Sequence, residues 1–118
     1  YRKFLNLYPP YQRLDIISVL VYHVTMNRNI KEINEISKIL SNLKNNDLIK
    51  NFMTEILTES EMETLSKRWC ILKMLSEGKT QRDIAKSLGV SLCKVTRGSK
   101  ILKDKNSITA KYLAKEKR

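Results

Sequence analysis

The sequence predicts an all-α protein whose last third is built around a helix-turn-helix. Three observations carry that expectation. From Ile30 onward, apolar residues recur at three- and four-residue spacing, the period of an amphipathic helix. Two Thr-x-x-acid signatures, Thr58 with Glu61 and Thr80 with Asp83, mark helix starts. The chain has three glycines, and one of them, Gly89, divides two helical patterns in "TQRDIAKSLGVSLCKVTRGS", residues 80–99.

Residues 1–29 read as an N-terminal arm. "YRKFLNLYPPYQR" holds both prolines and three of the five tyrosines. "LDIISVLVYHVT" is rich in β-branched residues without helical period, which suggests extended arm or a short strand. Composition changes near Met26, a candidate natural start with the preceding residues encoded upstream. Residues 30–118 read as the folded domain. "NIKEINEISKILSNLKNN" places Ile30, Ile33, Ile36, Ile39, Leu40 and Leu43 on one face. Asn45 and Asn46 interrupt it, and Asp47 is placed to cap a second, short helix. The box of Thr58 and Glu61 opens a helix running to about Glu77, with Met62, Leu65, Trp69, Leu72 and Leu75 inward and Gly78 ending it.

Thr80 opens the next helix, Gln81–Leu88, with Ile84 and Leu88 inward. Gly89 supplies the turn, and Ser91 caps Leu92–Lys103. Ala85 leaves room where two helices cross steeply, and Val90 and Val95 pack the pair. Small residue, glycine and apolar positions in this order make a helix-turn-helix, although a hairpin of helices that merely packs has the same spacing. The outer face of the second helix separates the two. It carries Lys94, Thr96, Arg97, Lys100 and Lys103, which are phosphate and base-edge donors.

Charge points the same way. Residues 79–118 carry twelve basic and three acidic side chains, so +9 of the chain's +11 lies there. A one-signed third of a domain suits a polyanion, above all double-stranded DNA. A basic tail kept for solubility accounts for Lys111, Lys115, Lys117 and Arg118 and leaves the others unexplained. Other classes find no residues. His23 is the one histidine and lies among apolar neighbours. Cys70 and Cys93 lack metal-ligand spacing and read as buried thiols of a reducing compartment. No glycine-rich phosphate loop is present, so neither an enzyme nor a metal protein is expected. The apolar run at 16–24 is too short to span a bilayer and lacks a cleavage pattern, so a cytoplasmic protein is expected.

"LTESEMETLSKRW" and "LSEGKTQRDIAKSLGVSLCKVTRGS" together resemble the Trp repressor superfamily. The similarity covers roughly residues 31–118, and "TQR" and "TRGS" are its most specific marks. The resemblance implies a helical, intertwined homodimer that acts as a transcriptional repressor, each chain docking a helix-turn-helix in the major groove. It places DNA contacts at Gln81, Arg82, Leu92, Cys93, Lys94, Thr96, Arg97 and Lys100, to which the charge pattern adds Lys103. It also implies an amino-acid pocket between Arg68 and Arg97, with Thr58 and Gly98 beside them and L-tryptophan as corepressor. An ion pair of Arg68 with Glu61 or Glu63 is the competing role for that arginine. Where the family pattern has a serine for the ligand's amino group, this chain has Ile101, which accepts no hydrogen bond. DNA binding without a cofactor is therefore expected, with L-tryptophan held weakly or not at all. The alternative is a helix-turn-helix module of a larger transcription or recombination assembly, sigma-factor-like or transposase-like, with no effector.

Overall fold

The computed structural model describes residues 16–117, with side-chain environments from residue 29 onward. Six α-helices and no strands occur among them: α1 (Ile16–Asn42), α2 (Asn46–Ile56), α3 (Glu59–Ser76), α4 (Gln81–Leu88), α5 (Leu92–Lys103) and α6 (Ile108–Glu116). The chain divides into two compact units, one ending at Lys50 and the other beginning at Asn51, so the division falls within α2.

In the first unit, α1 is 27 residues long and begins at Ile16. Residues 16–29, expected in an arm or short strand, are therefore helical; residues 1–15 of the expected arm lie outside the described residues. The physical reason is that β-branched residues cost only a few tenths of a kcal/mol each in a helix. Extending an existing helix also avoids the cost of nucleating one. Along α1, Ile36 and Leu40 are half-buried, whereas Ile30, Ile33 and Ile39 are exposed, Ile33 to 60%. The cap of α2 also differs from expectation. The Asp47 N–H donates to Asn45 Oδ1 at 2.7 Å, so Asn45, the residue just before the helix, does the capping.

In the second unit, α3 starts where Thr58 and Glu61 cap each other. The Thr58 N–H donates to Glu61 Oε2 at 2.8 Å, and the Glu61 N–H donates to Thr58 Oγ1 at 3.2 Å. The far end closes around Gly78, whose φ of +86° only glycine adopts cheaply. There the Gly78 N–H reaches the Leu75 carbonyl and the Lys79 N–H reaches that of Met74. Helices α4 and α5 follow, and α3 packs against both. The core is small: Ile71, Ile84 and Val95 are buried, with Met74, Leu75, Ala85, Leu88 and Val90 packed around them.

Two expectations about α3 need correction. Its inward residue is Ile71, absent from the expected face, and Met74 follows it one turn later; Leu65 and Trp69 stay 40% exposed. Apolar residues cover more than one stripe of this helix, and the helix pair chooses the stripe near its C-terminal half. Cys70, next to Ile71, therefore turns outward, and Cys93 opens outward on the first turn of α5; both thiols are free and exposed rather than buried. The basic tail also holds a helix. Ser107 caps α6 by accepting from the Ala110 N–H, Leu113 is buried, and the Tyr112 ring lies 6.2 Å from that of Trp69.

Candidate nucleic-acid interface

The geometry of the helix pair follows from its caps and its one turn. Thr80 Oγ1 accepts from the Asp83 N–H at 3.2 Å and donates to Asp83 Oδ2 at 2.6 Å, which fixes the first turn of α4. Gly89 sits at φ +60°, and the Val90 N–H reaches back to the Ala85 carbonyl at 3.1 Å. Ser91 then opens α5 by accepting from the Lys94 N–H. Ile84 and Val95 are completely buried where the two helices meet. A third contact sets the depth of α5 on α3. Gly98 is buried, and a Cβ there would lie 2.9 Å from Ile71 Cγ2 and 3.2 Å from Leu75 Cδ1. The α5 backbone therefore rests directly on α3 side chains.

With that side of α5 turned inward, the other is left to solvent. Leu92, Cys93, Lys94, Arg97, Lys100 and Lys103 are exposed, as is Arg82 on α4; Gln81 and Thr96 are half-buried. None of the four α5 cations has a carboxylate partner among the described residues, where the ion pair observed is Lys67 with Glu63 at 2.8 Å on α3. An exposed row of unpaired cations on a helix braced from behind has the charge and access that phosphate contacts require. All nine residues expected to contact DNA thus lie on the helix pair, with solvent access. Gln81 and Thr96 are joined: the Thr96 hydroxyl is 3.0 Å from Gln81 Oε1. Sequence reading missed that bond, because residues fifteen apart give no local signal.

Beside this face lies an open cleft of about 450 Å³ lined by Leu65, Arg68, Trp69, Ile71, Leu72, Lys94, Arg97, Gly98 and Ile101. It brings together three of the four expected pocket residues, Arg68, Arg97 and Gly98. Thr58 does not line it and is engaged as the α3 cap. The competing ion-pair role of Arg68 is not realised. Glu63 pairs with Lys67, and Glu61 accepts from Thr58, which holds the Glu61 carboxyl below its ordinary value. The cleft has three cationic side chains and an apolar wall, but no side-chain hydrogen-bond acceptor. Trp69, the chain's one tryptophan, is expected on the inward face and stands instead on that wall. Among the described residues, no group of three His, Cys, Asp or Glu comes together that could hold a metal ion. No described helix is long and apolar enough to cross a membrane.

The family model described as Trp repressor protein matches residues 31–117, which take in the helix pair, the cleft and α6. The chain belongs to the Trp repressor family. Proteins named Trp operon repressor homolog are similar to it. That of Xylella fastidiosa strain M23 is 43% identical over 70 residues, covering 58% of this chain and 76% of the relative. That of Chlamydia trachomatis serovar D is 33% identical over 79 residues, covering 66% and 84%. That of Chlamydia caviae is 37% identical over 67 residues, covering 56% and 66%. The Trp repressor family is one of DNA-binding transcription regulators, not of enzymes, and its known members bind tryptophan as corepressor.

Proposed function

We propose that this chain is a sequence-specific, homodimeric transcriptional repressor of the cytoplasm that lays α5 in the major groove, with residues 30–118 as its working domain. The observation that carries this reading is the outer face of α5. Lys94, Arg97, Lys100 and Lys103 are exposed and unpaired on a helix whose inner face is locked by Val95 and Gly98. A helix pair that only packed would have no need of such a face. Pairing of two chains is supported by α1, which leaves Ile30, Ile33 and Ile39 in water; apolar rows of that kind are covered by association. Two-fold symmetry then calls for half-sites about one DNA turn, 10–10.5 bp, apart.

An effector is a separate matter. Arg68 and Arg97 flank an apolar cleft, which suits a flat ring beneath guanidinium groups. L-tryptophan brings an ammonium as well, and no side chain lining the cleft accepts a hydrogen bond from it. Ile101 stands at the cleft where a hydroxyl would be needed. DNA binding therefore proceeds without tryptophan. The test is selection from a random duplex pool by the whole chain, without and with L-tryptophan. Enrichment of a two-fold site in both arms is expected. Enrichment only with L-tryptophan would restore a corepressor-dependent switch, and no enrichment in either arm would refute DNA reading.

A further inference from the structure

We propose that Gln81 and Thr96 read DNA as one unit, in which Gln81 is the specificity-determining side chain and Thr96 the residue that positions it; this rests on the reading of α5 as the DNA-docking helix. Thr96 sits on α5 with its hydroxyl 3.0 Å from Gln81 Oε1 on α4 and 3.0 Å from the Leu92 carbonyl on its own helix. The other side-chain hydrogen bonds of this helix pair are local, joining Thr80 to Asp83, Ser87 to Ile84 and Ser91 to Lys94. Gln81 with Thr96 is thus the polar tie between the two helices.

That tie changes what each residue can offer. A hydroxyl has one proton, here shared between two oxygens of the protein, so Thr96 has no donor left for DNA, only its lone pairs. Gln81 keeps two N–H donors and a second lone pair on Oε1. Donor and acceptor side by side match the N7 and N6 edge of adenine in the major groove. A free glutamine must freeze three torsions to make that match. One held by Thr96 has lost most of that freedom already, and preorganisation of this kind sharpens binding to the right edge. Sequence preference at one base pair therefore passes through Gln81, and Thr96 acts on it from behind.

The experiment uses the full chain and a duplex enriched from a random pool by the wild-type protein. Affinities are measured for that duplex, for single-base-pair variants of it, and for a random-sequence duplex. Gln81→Ala, Thr96→Val and the double variant are each expected to lose about threefold to tenfold in discrimination, at the same A·T pair and without adding. Thr96→Ser, which keeps the hydroxyl, should restore the wild-type pattern. Affinity for the random duplex should fall less than affinity for the enriched one, and melting temperature by no more than the loss of one half-buried hydrogen bond allows. A second readout needs no DNA: the NMR order parameter of the Gln81 side-chain amide should fall in Thr96→Val and recover in Thr96→Ser. Losses at two different base pairs that add would overturn the proposal, as would a uniform loss for all duplexes with a lowered melting temperature. An unchanged Gln81 order parameter would overturn it too. A pool that the wild-type chain does not enrich would instead refute the DNA-docking reading, while the NMR comparison still decides the tie.

Discussion

Gly98→Ala tests whether α5 is seated where the cleft and the DNA face both require. An added Cβ would stand 2.9 Å from Ile71 Cγ2, closer than carbon atoms tolerate, and 3.2 Å from Leu75 Cδ1. Leu75 Cδ1 ends a flexible side chain and can swing aside. Ile71 Cγ2 cannot, because it is fixed to a branched Cβ with one strongly preferred rotamer in a helix, and Ile71 is only 2% exposed. The helices must therefore part slightly. Overpacking of this kind costs about 1–3 kcal/mol, and replacing a mid-helix glycine by alanine returns about 1 kcal/mol. The net expectation is a destabilisation of about 0–2 kcal/mol, read as a lower urea midpoint at unchanged slope. The control is the same change in an Ile71→Leu background, which removes the branch at Cβ and keeps the volume. There Gly98→Ala should be neutral or stabilising. A gain of about 1 kcal/mol from Gly98→Ala in the wild-type background, the helix-propensity effect alone, would refute the close approach.

Ile84→Ala empties a site with no solvent access and should cost about 2–5 kcal/mol in urea unfolding, a large share of what a small domain has. The α3 cap makes stability depend on pH. The Thr58 backbone N–H and then its hydroxyl hold the Glu61 carboxyl below its usual 4.5, so the contribution is full above that value and lost as pH falls through the lowered one. The stability gap between wild type and Glu61→Ala should accordingly shrink as pH drops below 4.5, and a gap independent of pH would contradict this. In calorimetry, L-tryptophan should bind about one to two decades more weakly than an indole acid lacking the amino group, since an unsatisfied ammonium costs about 1–3 kcal/mol. Equal affinities would show that the cleft satisfies the ammonium after all.

The helix pair was legible because its signals are local. Caps at Thr58, Thr80 and Ser91 and turns at Gly78 and Gly89 each act within a few residues, and all five stand where the spacing put them. What was not legible depends on tertiary choice. The sequence of α3 offers more than one apolar stripe, and only packing selects Ile71 over Trp69. Cys70 and Cys93 look like core by residue type, yet their neighbours Ile71 and Val95 take the inward positions. The β-branched run at 16–25 has a weak preference for strand, overridden by continuation of α1. The resemblance names Arg68, Arg97 and Gly98, and these three come to line one cleft. Thr58 lies off that cleft with its hydroxyl in the α3 cap, a placement visible only once the helix start and the cleft are set side by side in space.

The central claim is that the cations of α5 meet DNA phosphates, and the salt dependence of binding tests it most directly. Each phosphate neutralised contributes about −0.9 to the slope of log affinity against log salt. Four exposed cations on α5 of each chain, in a two-chain complex, put the slope near −7 for an enriched duplex. Replacing Lys100 by alanine should make that slope shallower by about two units, one for each chain, and weaken binding to every sequence alike. A slope near zero, or one that Lys100→Ala leaves unchanged, would contradict the assignment of α5 as the helix that faces DNA.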